Sequence, residues 1–135
     1  MELAGKHAVI VAVNDYLASD GRKLLADKRT LTFQRYPTQL LLDFDIVFTA
    51  EHGDCRIGDM KDSGFSVRVP TSMDVDSKYD GRIINSEGLT DKNAWGKRAK
   101  WVSYTGQVEG KVRGIAILNH PESFRHPTPW HVRTY

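Results

Sequence analysis

Residues 40–49 constrain the fold more tightly than any other stretch of this chain. Leu42, Phe44, Ile46 and Phe48 fall at every second position, and Asp43, Asp45, Val47 and Thr49 stand between them. Successive side chains of a strand point to opposite faces, whereas a helix would scatter this spacing around its circumference. The segment therefore reads as a strand of an antiparallel sheet, with one face toward a core and one toward water. No stretch of comparable strength carries helical periodicity.

The rest of the chain is organised to match. Residues 8–13, Ala-Val-Ile-Val-Ala-Val, form a compact β-branched run that reads as a strand buried on both faces. Asp20-Gly21 signals a tight turn. Residues 22–29 are ambiguous between a short helix and a strand, and Thr30-Leu31-Thr32-Phe33 alternates as a strand does before Pro37 punctuates. Residues 51–63 are rich in Gly, Asp and Lys and read as a loop, with room for a short strand at Cys55-Arg56-Ile57. Residues 64–69 alternate again, with Phe65, Val67 and Val69 inward and Pro70 as the stop. A short strand is expected at 81–85. Two more are expected at 101–105 and 112–118, around a hairpin loop at 106–110. Short strands at this spacing, without a long amphipathic helix or an internal repeat, give an all-β fold. The expected architecture is an antiparallel β-sandwich in a single domain over residues 1–135.

Composition excludes several classes. Lys plus Arg number 19 against 17 Asp plus Glu, a formal charge of +2. That balance gives no field suited to a nucleic-acid backbone or an anionic membrane, so the Lys97-Arg98-Ala99-Lys100-Trp101 run is expected to bind no nucleic acid. The single cysteine, Cys55, allows no internal disulfide and no Cys-rich zinc site. No run of eighteen apolar residues is present to span a bilayer as a helix, and the compartment is not fixed by the sequence.

Chemistry-bearing residues concentrate in 120–135. Three of the 5 histidines and three of the 5 prolines lie there, interleaved with Arg125, Arg133, Phe124, Trp130 and Tyr135. Proline fixes φ and removes a backbone donor, so this is an extended loop, neither a helix nor a central strand. In an extended segment His131 and Arg133 share a face, which suits an anionic or hydroxyl-rich ligand. Trp130 either flanks that ligand or plugs the core. The intervals between His120, His126 and His131 match no helical ligand pair. A loop can wrap three histidines around zinc, but no carboxylate motif accompanies these, and no metal or cofactor is expected.

A second constellation joins Asn85-Ser86-Glu87-Gly88 to Trp95-Gly96-Lys97-Arg98. Flat aromatic faces beside hydrogen-bonding charges are what sugar rings need, since a ring has apolar C–H faces and polar edges. Glu87 near His120 or His131 would make an acid/base pair; otherwise it is a surface partner for Lys97 or Arg98. Lys61, in the polar turn Lys61-Asp62-Ser63-Gly64, is a further ligand-facing candidate. The expected site thus takes Glu87, His131 and His120 as catalytic candidates. Trp95, Lys97, Arg98, His126, Trp130, Arg133 and Lys61 are the binding candidates. Two irregular loops at the same end of a sandwich would place Glu87, His131 and Arg133 in one cleft.

Four strings, at 61–69, 81–88, 95–99 and 120–133, resemble in order and spacing those of the DUF6807 family, which also carries the label "methane oxygenase PmoA". The resemblance covers the chain from about residue 15 onward. It implies a β-rich fold, related to the galactose-mutarotase-like supersandwich. It also implies a fragment of a longer domain, since family members continue past the Trp-His-Val-Arg-x-Tyr motif into a glycine-rich strand. Uncovered sheet edges or apolar faces are then expected. The methane-oxygenase label sits poorly with a chain that has no spanning segment. The leading functional expectation is a carbohydrate-active protein, either a sugar binder or a sugar-modifying enzyme. A non-catalytic β-sandwich module and a metal-dependent oxygenase using the histidines are the alternatives.

Overall fold

The computed structural model describes residues 7–58, 65–77 and 79–135. The chain is all-β and antiparallel, with two three-stranded sheets, and it divides into two compact units, Met1–Asp59 and Met60–Tyr135. Among the described residues no helix is long and apolar enough to cross a membrane.

The first unit is a meander of β1 (His7–Leu17), β2 (Lys23–Arg35) and β3 (Leu40–Thr49). The Asp20-Gly21 turn closes the first hairpin, with Gly21 at φ 84, a conformation open to glycine because it has no Cβ. Of the ambiguous residues 22–29, all but Arg22 join 30–33 in one continuous strand, because β2 is central and pairs on both sides. The alternation in β3 is realised as a paired strand, but the expected burial of its apolar face is not: no β3 residue is buried, Leu42 and Phe48 are exposed, and Phe44 and Ile46 are half-buried. Leu42, Phe44 and Ile46 stand opposite Phe33, Leu31 and Arg29, so all share one face, while Asp43 and Asp45 stand opposite Thr32 and Thr30 on the other.

The 8–13 run is a strand, but it is not buried on both faces: Val9, Ile10, Val11 and Val13 are all more than half exposed. β1 pairs only with β2 and is an edge strand, so its β-branched residues record strand propensity rather than a central position. One polar cluster interrupts the apolar face. Asp27 stands directly opposite Asn14 and accepts from Asn14 Nδ2 at 2.7 Å, from Arg29 Nη2 at 2.8 Å and from the Tyr16 hydroxyl.

In the second unit β4 (Arg82–Asn85), β5 (Trp101–Val108) and β6 (Lys111–Leu118) form the other sheet. The β5–β6 hairpin is tighter than a 106–110 loop. Its strands run on to a two-residue turn, Glu109-Gly110, with φ of 51 and 72, the geometry that matches the twist of paired strands. Gly106 is inside β5, where a Cβ would come within 2.7 Å of Met73 Cα; the 3-10 helix Thr71–Met73 packs there. Ile83, Val102 and Ile117 share the inward face and build a core with Ala94, Val132 and Trp130. The expected strand at 64–69 is absent from the described residues 65–69: Phe65 and Val67 are 47% and 41% exposed, and among the described residues this segment belongs to neither sheet. Alternation prepares a strand, but a ladder partner is what makes one. Cys55-Arg56-Ile57 is likewise exposed and outside any strand.

Candidate functional site

Residues 128–134 run extended and are tied down along their length. Ala99 N donates to Thr128 O, Trp130 N to Lys97 O, Gly96 N to Trp130 O at 2.8 Å, and Asp76 N to Thr134 O at 2.8 Å. Pro129 bridges Arg98 in antiparallel fashion. Proline cannot donate, which is why these contacts never extend into a full ladder.

Period two then sorts the side chains. Val132 is 4% exposed in the core, and the flanking inward residues are pinned as well: Trp130 Nε1 donates to Ala99 O at 2.8 Å, and Thr134 Oγ1 donates to Asp76 Oδ2 at 2.7 Å. The alternate residues, His131, Arg133 and Tyr135, are exposed. The Tyr104 hydroxyl fixes the backbone between them, donating to Arg133 O at 3.0 Å.

These outward residues meet the 3-10 helix Asp91–Ala94 and the residue that follows it. Lys92, Trp95, His131, Arg133 and Tyr135 line an open groove of ≈ 230 Å³, to which Val132 and Thr134 also contribute. Trp95 is 54% exposed, and its ring meets His131 edge to face with centroids 5.8 Å apart. Arg133 Nη1 donates to the Tyr135 hydroxyl at 2.6 Å, and its guanidinium carbon lies 5.5 Å from the Tyr135 ring centroid. Burial holds the Tyr104 hydroxyl above its ordinary pKa, so it remains a protonated donor under neutral conditions. The groove therefore offers an accessible indole, an imidazole, two full positive charges and hydroxyl groups.

The remaining expected residues stand elsewhere. Glu87 is exposed in the turn after β4, where its carboxylate accepts from Ser86 Oγ at 2.9 Å; it does not line the groove. That turn is ordered by buried Asn85, whose Oδ1 accepts from the backbone N–H of Glu87 and of Leu89, both at 3.0 Å. His120 Nδ1 accepts from Glu122 N at 3.2 Å and caps a local turn. His126 Nδ1 bonds Asn119 Oδ1 at 2.8 Å. Arg98 Nη1 donates to the carbonyls of Pro127 at 2.7 Å and Arg125 at 3.2 Å, so this guanidinium holds the proline-rich loop in place. The Lys97 side chain is exposed outside the groove lining. Trp130 belongs to the core, and Lys61 lies outside the described residues. Among the described residues, no three His, Cys, Asp or Glu side chains come together as a group able to hold a metal ion.

One family model matches residues 2–135. The chain belongs to DUF6807, a family of unknown function. No curated protein and no solved structure matches the chain. The strings at 81–88, 95–99 and 120–133 that suggested the resemblance all fall in the second unit, as β4 with its turn, the segment that begins with the groove residue Trp95, and the C-terminal stretch that carries His131 and Arg133. Tyr135 was absent from the expected site, yet the rule that paired His131 with Arg133 reaches it two residues on. Lys92 and Thr134 carried no comparable signal, because their places depend on the 3-10 turn and on the bond to Asp76.

Proposed function

We propose that this chain binds a carbohydrate in the groove beside Trp95. The observation that carries the reading is a half-exposed indole next to His131 and Arg133, on a backbone fixed from both sides. An indole stacks on the apolar C–H face of a pyranose, while the imidazole, guanidinium and ammonium groups serve its polar rim. The anchoring bonds from Tyr104, Asp76 and Ala99 pre-order the segment, so binding carries little ordering cost. Recognition is favoured over turnover, because among the described residues no aspartate or glutamate side chain lines the groove to act as an acid or base.

A thermal-shift panel of mono- and oligosaccharides tests this. A sugar that binds only the native state stabilises it by about 2.7 kcal/mol at a concentration 100 times its Kd, which raises the midpoint by several degrees. Trp95→Ala should abolish that rise and leave the unliganded midpoint nearly unchanged, since the ring is exposed. A panel in which no sugar raises the midpoint, or a rise that survives Trp95→Ala, refutes the reading.

A further inference from the structure

We infer that the groove takes a linear oligosaccharide, a flat, equatorially linked chain whose rings rest on Trp95 at one end and on Tyr135 at the other. The inference rests on the carbohydrate reading and adds the ligand's length and shape to it. Two aromatic rings line the one groove, the half-exposed indole of Trp95 and the phenol of Tyr135, a residue 72% exposed. They stand apart along it. The indole meets His131, with ring centroids 5.8 Å apart, whereas Tyr135 follows four positions later. Extended backbone rises about 3.3 Å per residue, so these positions carry Tyr135 about 13 Å past His131. One pyranose ring does not cover that distance. A monosaccharide therefore uses one aromatic ring of the pair, and a chain of sugars uses both. The second contact is then intramolecular, so chain length adds affinity.

Hydrogen bonds fix the spacing. Lys97 and Gly96 bond the backbone of Trp130 just before His131, Tyr104 donates to Arg133 O, and Asp76 N donates to Thr134 O just before Tyr135. Arg133 steadies the Tyr135 ring in turn: its guanidinium carbon lies 5.5 Å from the ring centroid, and its Nη1 donates to the hydroxyl at 2.6 Å. Two platforms set in advance along a straight segment suit a straight ligand. Equatorial linkages hold successive pyranose rings in one extended ribbon, whereas axial linkages turn each ring away from the last and coil the chain.

Calorimetric titration of the whole chain tests the inference. The probes are cello-, xylo- and manno-oligosaccharides, which are equatorially linked, and malto-oligosaccharides, which are axially linked, each from the monosaccharide to the tetramer. In at least one equatorially linked series the trimer is expected to bind about tenfold or more tightly than the monosaccharide. Tyr135→Ala should weaken trimer binding about tenfold and leave the monosaccharide titration as in the parent. Tyr135→Phe keeps the ring and should restore the trimer affinity, which a role confined to the bond with Arg133 would not allow. The unliganded melting midpoint verifies the fold of both variants.

Equal affinity for monosaccharide and trimer in every series that binds overturns the inference and leaves the carbohydrate reading standing. So does a chain-length gain that persists in Tyr135→Ala, or a loss that Tyr135→Phe shares. Tighter binding of malto-oligosaccharides than of any equatorially linked chain overturns it as well. Failure of all four series overturns it too, and the thermal-shift panel then decides whether the carbohydrate reading falls with it.

Discussion

Asp27 is 1% exposed on the apolar face of the first sheet, where a charge is tolerated only if it is fully satisfied. Its two oxygens accept from Arg29, Tyr16 and Asn14. The hydrogen bonds from Arg29, helped by those from Tyr16 and Asn14, outweigh burial and hold the carboxyl well below the ordinary carboxylate range. Because the folded value lies below the unfolded one, the ionised group stabilises the fold fully above about pH 4, and that contribution is lost as pH falls toward the folded value. Urea midpoints measured between about pH 7 and pH 2 should therefore drop on the acid side. Asp27→Asn keeps the shape but strands Arg29 without its counter-charge. It should lower the midpoint at neutral pH and flatten the acid slope. A variant whose acid slope equals that of the parent would show that Asp27 does not govern this limb.

Two elements show how far sequence periodicity reaches. In β3 the alternation of Leu42, Phe44, Ile46 and Phe48 with Asp43 and Asp45 was legible, and β2 realises it by pairing in register. Residues 65–69 alternate too, but form no strand among the described residues, because pairing is set by the neighbour and not by the segment. The extended C-terminal segment is the instructive case for the site. Placing His131 and Arg133 on one face followed from period two. That Trp130 and Val132 are the core side depended on the Ala99 carbonyl and on Ala94, which no local pattern marks. The cleft expected to unite Glu87 with His131 needed loop positions that composition cannot give, and Glu87 lies outside the groove. The alternation itself is testable by equilibrium unfolding. Val132→Ala should lower stability by about 2 kcal/mol, from two lost methyl groups and the cavity they leave. Arg133→Ala, one residue on, should stay within about 0.5 kcal/mol of the parent. Equal losses at the two positions would contradict the inward and outward assignment.

At the scale of the whole chain, the two units divide the labour. The first is a three-stranded meander with its own buried polar cluster. The second holds every lining residue of the groove and the core around Val132. The 3 tryptophans of the chain all lie in this second unit, in distinct settings. Trp95 lines the groove, Trp101 begins β5, and the Trp130 indole donates to the Ala99 carbonyl. Each indole N–H gives its own resonance in a nitrogen–proton correlation spectrum, so a single titration with an oligosaccharide that raises the melting midpoint locates the binding surface. The account predicts that the Trp95 indole signal shifts progressively and saturates, while the Trp101 and Trp130 indole signals move little. A bound oligosaccharide that leaves the Trp95 signal in place would contradict it.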